Sequence, residues 1–177
     1  IGHVEGVSDN TSLGAWTSEQ FDQSLDWKKI DLLMKKWGGK VILKGILDPE
    51  DAKMAAKLGV GAIIVSNHGG RQLDGALSSI RMLPKIVNAV DGKCEVWLDG
   101  GIRSGQDILK AKALGATGTM IGRSYIYGLG AMGEAGVTTT LQILQKELDM
   151  TMALCGHRNI NDVTSDILYV PSDFEGN

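Results

Sequence analysis

Short apolar runs alternate with longer amphipathic segments along most of the chain. Four of the runs end abruptly in glycine or polar residues and predict short buried strands, namely Val41–Gly45, Gly61–Val65, Glu95–Leu98 and Thr117–Ile121. Before, between and after them, apolar residues recur at helical spacing and predict helices, which cover about Trp27–Trp37, Asp48–Leu58, Ser79–Val90, Ser104–Leu114 and Val137–Leu154.

The predicted helices carry start and stop signals. Asp48 precedes Pro49 at the first helical position, and Ser104 precedes Asp107 in the pattern of a capping box,. Gly38 and Gly59 follow the last periodic residues of their helices and are typical C-terminal stops,. These local signals support the alternation of strands and helices.

An internal repeat supports a parallel sheet. The segment Ile42–Asn67 aligns with Leu98–Arg123, and each contains a strand, a loop, a capped helix, a Leu-Gly stop and a second strand. Strands alternating with helices predict an α/β fold with parallel strands and right-handed crossovers. Four such units are half of a (β/α)₈ TIM barrel, which typically needs ~250 residues. A doubly wound open sheet is the alternative, and the repeat favours the barrel.

The chain divides by composition near residue 24. Residues 1–24 are rich in Gly, Ser, Thr, Asp and Asn and show no periodicity, which predicts a loop that can be mobile or disordered,. Residues 25–177 hold the predicted units. Because the chain opens with Ile1 and no Met, we expect a fragment or a processed product.

Composition excludes several classes of protein. The 177 residues are 43% apolar, enough for one domain with a sizeable core, and the formal charge of −3 argues against binding to nucleic acid,. No apolar segment has membrane-spanning length, and residues 1–14 do not resemble a signal peptide,. Cys94 and Cys155 have no metal-ligand spacing, so we expect no metal,. Reduced thiols in an intracellular protein are the simpler expectation, and one disulfide between them is the alternative.

The loop after the second predicted strand carries the clearest candidate chemistry. His68 can accept a proton near neutral pH, and Arg71 can bind a carboxylate through two parallel hydrogen bonds,. A base beside a carboxylate clamp suggests a site for a small organic acid. A surface loop with an unrelated histidine is the alternative explanation.

The other strand ends carry complementary groups. Lys44 ends the first strand, Asp99-Gly100-Gly101 follows the third, and Gly122-Arg123 follows the fourth. Each alone fits a surface lysine or an ordinary tight turn. In a barrel, however, the C-terminal strand ends meet at one mouth, where active sites form. Together they indicate a phosphorylated cofactor beside an acid substrate, with phosphate bound by backbone amides and a guanidinium.

Three motifs resemble one enzyme family. Residues 66–74 (SNHGGRQLD), 98–105 (LDGGIRSG) and 121–123 (IGR) closely resemble the FMN-dependent (S)-2-hydroxy acid oxidases and dehydrogenases, which include glycolate oxidase, L-lactate dehydrogenase and (S)-mandelate dehydrogenase. The resemblance runs from about Asp26 to Leu168, and the His-Gly-Gly-Arg-Gln motif is highly specific. It implies a (β/α)₈ barrel of which this chain supplies about the last four units.

The resemblance also implies residue roles. His68 would be the base that takes a proton from the substrate, and Arg71 would bind its carboxylate. Lys44 would lie near the flavin N1 and O2 edge and stabilise the anionic reduced ring, while Ser66 would also touch the flavin. The ribityl and phosphate parts of FMN would be held by Asp99, Gly100, Gly101, Ile102 and Arg103, and the phosphate also by Gly122 and Arg123.

The implied reaction is oxidation of a 2-hydroxy acid, with L-lactate favoured, to the 2-oxo acid. His68 would remove either the hydroxyl proton, as hydride leaves C2, or the C2 proton, giving a carbanion. Glycolate, longer 2-hydroxy acids and mandelate are alternative substrates. Other FMN barrels, such as type 2 isopentenyl-diphosphate isomerase or relatives of inosinate dehydrogenase, share the glycine-rich loops but lack the His-Gly-Gly-Arg-Gln motif. A non-catalytic flavin-binding half-barrel is the alternative outside enzymes.

The resemblance places the substrate-facing tyrosines and the aspartate that orients the histidine in an N-terminal half, and no residues here match them. We therefore expect an N-terminal half-barrel segment as a partner. We also expect a homo-oligomer and a cytoplasmic location, with peripheral attachment to the inner membrane face as one option.

Overall fold

The computed structural model of the chain describes residues 14–16, 19–20, 22 and 24–174. By its internal contacts the chain forms two compact units, residues 1–39 and residues 40–177. In the first unit, residues 14–16 and 19–20 are helical, so the prediction of a loop throughout residues 1–24 is wrong at those positions. Most of that predicted loop lies outside the described residues.

The first unit also contains helix α1 (Trp27–Trp37), with the bounds that the sequence predicts. The Asp26 carboxylate caps it by accepting from the Lys29 amide at 2.9 Å. Gly38 ends it in the left-handed conformation at φ 67°, and the Gly38 amide donates to the Met34 carbonyl at 3.0 Å. Both ends are therefore set by local sequence signals.

The second unit is built on four parallel strands, β1 (Ile42–Lys44), β2 (Ala62–Val65), β3 (Glu95–Leu98) and β4 (Gly118–Thr119). They lie side by side in chain order, β1-β2-β3-β4. A doubly wound sheet reverses its strand order at a switch point, and this sheet has none among the described strands. The order is that of consecutive units of a barrel, so the doubly wound alternative is not observed.

Helices α2 (Pro49–Leu58), α3 (Ser79–Val90) and α4 (Gly105–Ala113) connect these strands. Since crossovers between parallel strands are right-handed, connections running in one direction place these helices on the same face of the sheet. The core lies between that face and the helices, and all four residues of β2 are buried. The largest fully buried side chains there are Ile63, Leu83, Ile86, Leu98, Val65 and Val90.

The predicted helix signals of this unit are confirmed. The Asp48 carboxylate accepts from the amides of Glu50 at 2.7 Å and Asp51 at 3.3 Å, ahead of Pro49. Ser104 and Asp107 form the reciprocal capping box at the start of α4. These caps depend on residues close in sequence, and this is why the sequence predicts them well.

Two strand predictions need correction. β1 is not buried: Ile42 is 56% exposed, because β1 pairs only with β2 within the described part of the chain. β4 spans two residues instead of the predicted five, and its Gly118 lies directly against the Trp97 ring of β3.

The last helix, α5 (Arg123–Leu154), begins much earlier than the predicted Val137. It is broken at Met132 and Gly133, where Gly133 has φ 59°. The arms on either side of the break contact each other through backbone at Gly128 and Gly136. Glycines such as those at 128 and 130 are typical of loops, so the sequence pattern did not predict a helix in the first arm.

The chain after α5 forms two short 3₁₀ turns, Ile160–Asp162 and Ser165–Ile167. Val163 between them packs in a small cluster with Leu109 and Met152. No helix in the described ranges combines the length and the apolar character that a membrane span requires.

Candidate functional site

The C-terminal ends of the four strands border one cavity of about 430 Å³. Parallel strands end at the same edge of a sheet, so residues far apart in sequence meet there. The structure brings almost all the predicted site residues to this cavity, and the lining includes Lys44, His68, Arg71, Asp99, Gly100, Gly101, Ile102, Arg103, Gly122 and Arg123. Ser66 is buried, and its hydroxyl oxygen contacts two of these lining residues, Lys44 and His68.

The cavity is positively charged in a chain whose formal charge is −3. Its cationic side chains come from all four strand ends, whereas Asp99 supplies the single carboxylate among the lining residues; the cations are Lys44, Arg71, Arg103 and Arg123. Such a concentration of one charge sign attracts ligands of the opposite sign. The site therefore suits a ligand, or two ligands, with several negative charges.

Lys44 joins three strand ends. Its Nζ lies 3.0 Å from Oδ2 of Asp99 and 3.1 Å from Oγ of Ser66. Oγ of Ser66 also accepts from the backbone amide of His68 at 3.0 Å. This arrangement fixes the ammonium group in the cavity and ties it to the loop that carries the candidate base.

The second oxygen of the Asp99 carboxylate is an unpaired acceptor. Oδ1 of Asp99 is buried and accepts no hydrogen bond from the described residues. Because a buried polar atom without a partner costs about 1–3 kcal/mol, an acceptor in this position calls for a donor from a ligand. A hydroxyl group meets that need.

His68 projects from a tight turn. The Asn67 side chain accepts from the amide of Gly69 at 3.1 Å and caps the 3₁₀ turn His68–Gly70. His68 itself has φ 56°, in the left-handed region that histidine adopts more readily than most residues,. The turn places the imidazole at the exposed end of β2, in reach of a ligand in the cavity.

Two helix N-termini border the cavity, and they differ. The Asp107 carboxylate accepts from the amides of Arg103 and Ser104 at 3.0 and 2.9 Å, and the Glu147 carboxylate accepts from the amide of Gly105 at 2.9 Å. The backbone amides at the start of α4 are thus hydrogen-bonded to carboxylates of the protein itself.

The start of α5 carries no such cap, since Gly122 offers no side chain to the first amides of the helix. The guanidinium of Arg123 lies there and donates to the Gly69 carbonyl at 3.5 Å. Uncapped amides, the positive end of the helix dipole and a guanidinium together suit an anion such as a phosphate.

Two serines at this edge are absent from the sequence-based site. Ser124 Oγ donates to the Ile102 carbonyl at 3.1 Å, and Ser79 Oγ donates to the Asp99 carbonyl at 2.6 Å. Ser124 directly follows the predicted Gly122-Arg123 pair, and this position in the sequence could have identified it as a site residue. Ser79 opens an amphipathic helix 20 residues before its partner, and no motif marks it. The described residues contain no group of three His, Cys, Asp or Glu that could hold a metal ion.

Comparison with known families gives a match over nearly the whole chain. The family model described as FMN-dependent dehydrogenase matches residues 3–170. Among curated proteins, an L-lactate dehydrogenase of Actinobacillus pleuropneumoniae serotype 5b (strain L20) is 51% identical over 153 residues, which cover 86% of this chain and 40% of the relative. An L-lactate dehydrogenase of Caulobacter vibrioides (strain NA1000 / CB15N) is 46% identical over 168 residues, which cover 95% of this chain and 43% of the relative.

Solved structures agree with these matches. The crystal structure of mandelate oxidase with (S)-4-hydroxymandelic acid superposes with a TM-score of 0.83 at 44% identity and covers 87% of this chain and 43% of that one. A mandelate oxidase mutant with a monooxide FMN adduct superposes with a TM-score of 0.77 at 46% identity, over 80% of this chain and 45% of that one. The chain spans about two fifths of the length of the curated relatives that it matches.

Proposed function

The chain belongs to the FMN-dependent dehydrogenase family, and from this premise we propose that it forms the C-terminal half of an FMN-dependent (S)-2-hydroxy acid dehydrogenase. L-lactate is the favoured substrate and the 2-oxo acid is the product. The observation that carries the proposal is the convergence of a histidine, four cations and a buried unpaired carboxylate oxygen on one cavity.

The residues around the cavity fit FMN. The unpaired Oδ1 of Asp99 offers an acceptor to a ribityl hydroxyl. Gly100 and Gly101, both at φ 88°, place backbone without side chains beside it, together with Ile102. Arg103, Gly122 and Arg123 would hold the phosphate at the uncapped start of α5,. Lys44 and Ser66 would contact the polar edge of the flavin ring.

When bound, FMN supplies the acceptor for the two electrons that leave the substrate. The chain supplies the groups that bind and deprotonate the substrate. Arg71 would fix its carboxylate through the guanidinium, and His68 would take up the proton on an imidazole nitrogen. Ser66 holds the His68 amide and the Lys44 ammonium at once, so the base and the cation that faces the flavin keep a fixed spacing.

The choice of L-lactate is supported by the names of the curated relatives at 46–51% identity. Mandelate is the second candidate, because the solved relatives named mandelate oxidase are 42–47% identical to this chain. Glycolate and longer 2-hydroxy acids complete the class.

The proposal includes an N-terminal half-barrel that pairs with the open edges of the sheet. Ile42 on β1 is 56% exposed, and β1 and β4 each pair with a single strand among the described residues. Open edges and an exposed apolar edge residue need cover from further strands. A homo-oligomer, a cytoplasmic location and peripheral membrane attachment remain predictions from the sequence.

The test is an anaerobic flavin-reduction assay. The 177-residue chain is produced together with the N-terminal half of the Actinobacillus relative, loaded with FMN, and mixed with L-lactate, glycolate or (S)-mandelate. We expect loss of the oxidised flavin absorbance with L-lactate, and the relative rates of the three acids identify the substrate.

Stable FMN binding without reduction by any of the three acids would contradict the dehydrogenase and favour the non-catalytic flavin-binding module. Failure to bind FMN at all would reject both. The same half-barrel of the relative, joined to its own C-terminal half, serves as the positive control.

A further inference from the structure

Ser79 is a buried polar residue with a specific partner. Ser79 occupies the first position of α3, and 3% of the residue is exposed. Oγ of Ser79 donates to the backbone carbonyl of Asp99 at 2.6 Å, with a longer contact of 3.4 Å to the carbonyl of Gly100. A hydroxyl is costly to bury unless it is hydrogen-bonded, so this bond gives the serine its place in the core.

The bond completes the backbone anchoring of Asp99. On the other side of the residue, the Asp99 amide donates to the carbonyl of Val65 in β2 at 3.1 Å. Two glycines at φ 88° follow directly, and glycines leave the backbone more freedom than other residues,. The Asp99 peptide is therefore the last firmly held point before the glycine pair.

The contact is close enough to exclude a side chain at the next residue. A Cβ on Gly100 would lie 2.9 Å from Oγ of Ser79 and 3.2 Å from Oδ1 of Asn67. Gly100 thus lies against the start of α3 and the cap of the His68 turn. Movement of Ser79 would therefore displace the loop that carries Asp99 and the loop that carries His68.

We propose that Ser79 is a positioning residue that holds the Asp99 carboxylate between Lys44 and the cofactor. It touches neither the cofactor nor the substrate and acts through the Asp99 backbone. The anchored backbone directs Oδ2 of Asp99 to Lys44 and leaves Oδ1 unpaired in the cavity. This inference rests on the FMN site proposed above.

The test is a double-mutant cycle on FMN affinity, measured by quenching of flavin fluorescence with the full 177-residue chain and the same N-terminal half. The variants are Ser79→Ala, Asp99→Ala and the double variant. Ser78→Ala is the matched control, because Ser78 is the exposed neighbouring serine and its side chain makes no capping hydrogen bond. Ser79→Cys, which keeps the size and weakens the donor, replaces Ser79→Ala if the latter does not fold by circular dichroism.

We expect Ser79→Ala to raise the dissociation constant of FMN about tenfold, the order that loss of one buried hydrogen bond produces. In the Asp99→Ala background the same substitution should change the constant less than twofold, since there is no carboxylate left to position. Ser78→Ala should leave it unchanged.

Equal effects of Ser79→Ala in both backgrounds would overturn the inference, because a serine that only stabilises the fold gives additive changes. An unchanged FMN affinity in Ser79→Ala would overturn it as well. Absence of FMN binding by the unsubstituted protein is a distinct result that rejects the proposed function itself.

Discussion

The imidazole of His68 lies directly over the backbone of Gly45. A Cβ at position 45 would be only 2.6 Å from Cε1 of His68, a separation that real Cβ atoms essentially never show. Gly45 also has φ 93°, a conformation that favours glycine. Gly45, directly after β1, therefore leaves the space that the imidazole of His68 occupies after β2. The site depends on the lack of a side chain at this position.

Gly45→Ala should displace His68 and slow flavin reduction. A shift of about 1 Å in a catalytic group can cost on the order of 10²-fold in rate. The matched control is Gly59→Ala, which has a similar φ of 82° but nothing within 4 Å of the added Cβ. Both variants should lose about 1–2 kcal/mol of stability from backbone strain, measured by thermal unfolding, and only Gly45→Ala should lose rate. Equal rates in the two variants would contradict the role of Gly45.

His68→Gln should retain FMN and reduce it slowly. Removal of a general base commonly costs ~10²–10⁴ in rate, while the proposed flavin contacts of Lys44 and Asp99 remain. The measurement is the single-turnover reduction rate with L-lactate beside an FMN titration. Loss of the flavin from the variant would assign His68 a structural role instead.

The sequence predicts the parts of this fold that depend on near neighbours. The caps at Asp48 and Ser104 and the left-handed stop at Gly59 involve partners two to four residues away, and all three are confirmed. The repeat predicts parallel strands in chain order, and that order brings Lys44, His68 and Asp99 to one cavity. Their roles with FMN and substrate remain predictions.

The parts that the sequence does not predict depend on distant contacts. The exposure of Ile42 depends on which strands pair with β1. The role proposed for Ser79 depends on its hydrogen bond to the Asp99 carbonyl, 20 residues away. The first arm of α5 contains glycines that are typical of loops, yet one of them contacts the backbone of the second arm. A pattern of local propensities carries no information on such contacts.

The two cysteines should differ in reactivity. Partial burial, and then the negative charge of Glu95, raise the pKa of the Cys94 thiol, whereas Cys155 is exposed. Because the thiolate is the reactive form, a raised pKa leaves less thiolate at pH 8 and slows alkylation of Cys94. Mass spectrometry of peptides after a short iodoacetamide pulse should find Cys155 modified first. In denaturant the two rates should converge, and a persisting difference there would point to a cause other than the fold.

Two glycines in the first arm of α5 should respond to alanine with opposite signs. At Gly128 an added Cβ would overlap Oγ1 of Thr140 and lie 2.5 Å from the carbonyl oxygen of Gly136, so the arms must separate. Overpacking of this kind typically costs ~1–3 kcal/mol. At Gly130 nothing lies within 4 Å of the added Cβ, and alanine in a helix is favoured over glycine by roughly 0.5–1 kcal/mol.

Urea unfolding of the two variants measures both effects against the same parent. Gly128→Ala should lower the midpoint and Gly130→Ala should raise it, although the substitutions are chemically identical and two residues apart on one helix. A rise of both midpoints would mean that helix propensity alone governs this segment, and a fall of both would contradict the open space at Gly130. Opposite directions would mean that the glycine at 128 is required by the close approach of the second arm at Gly136 and Thr140.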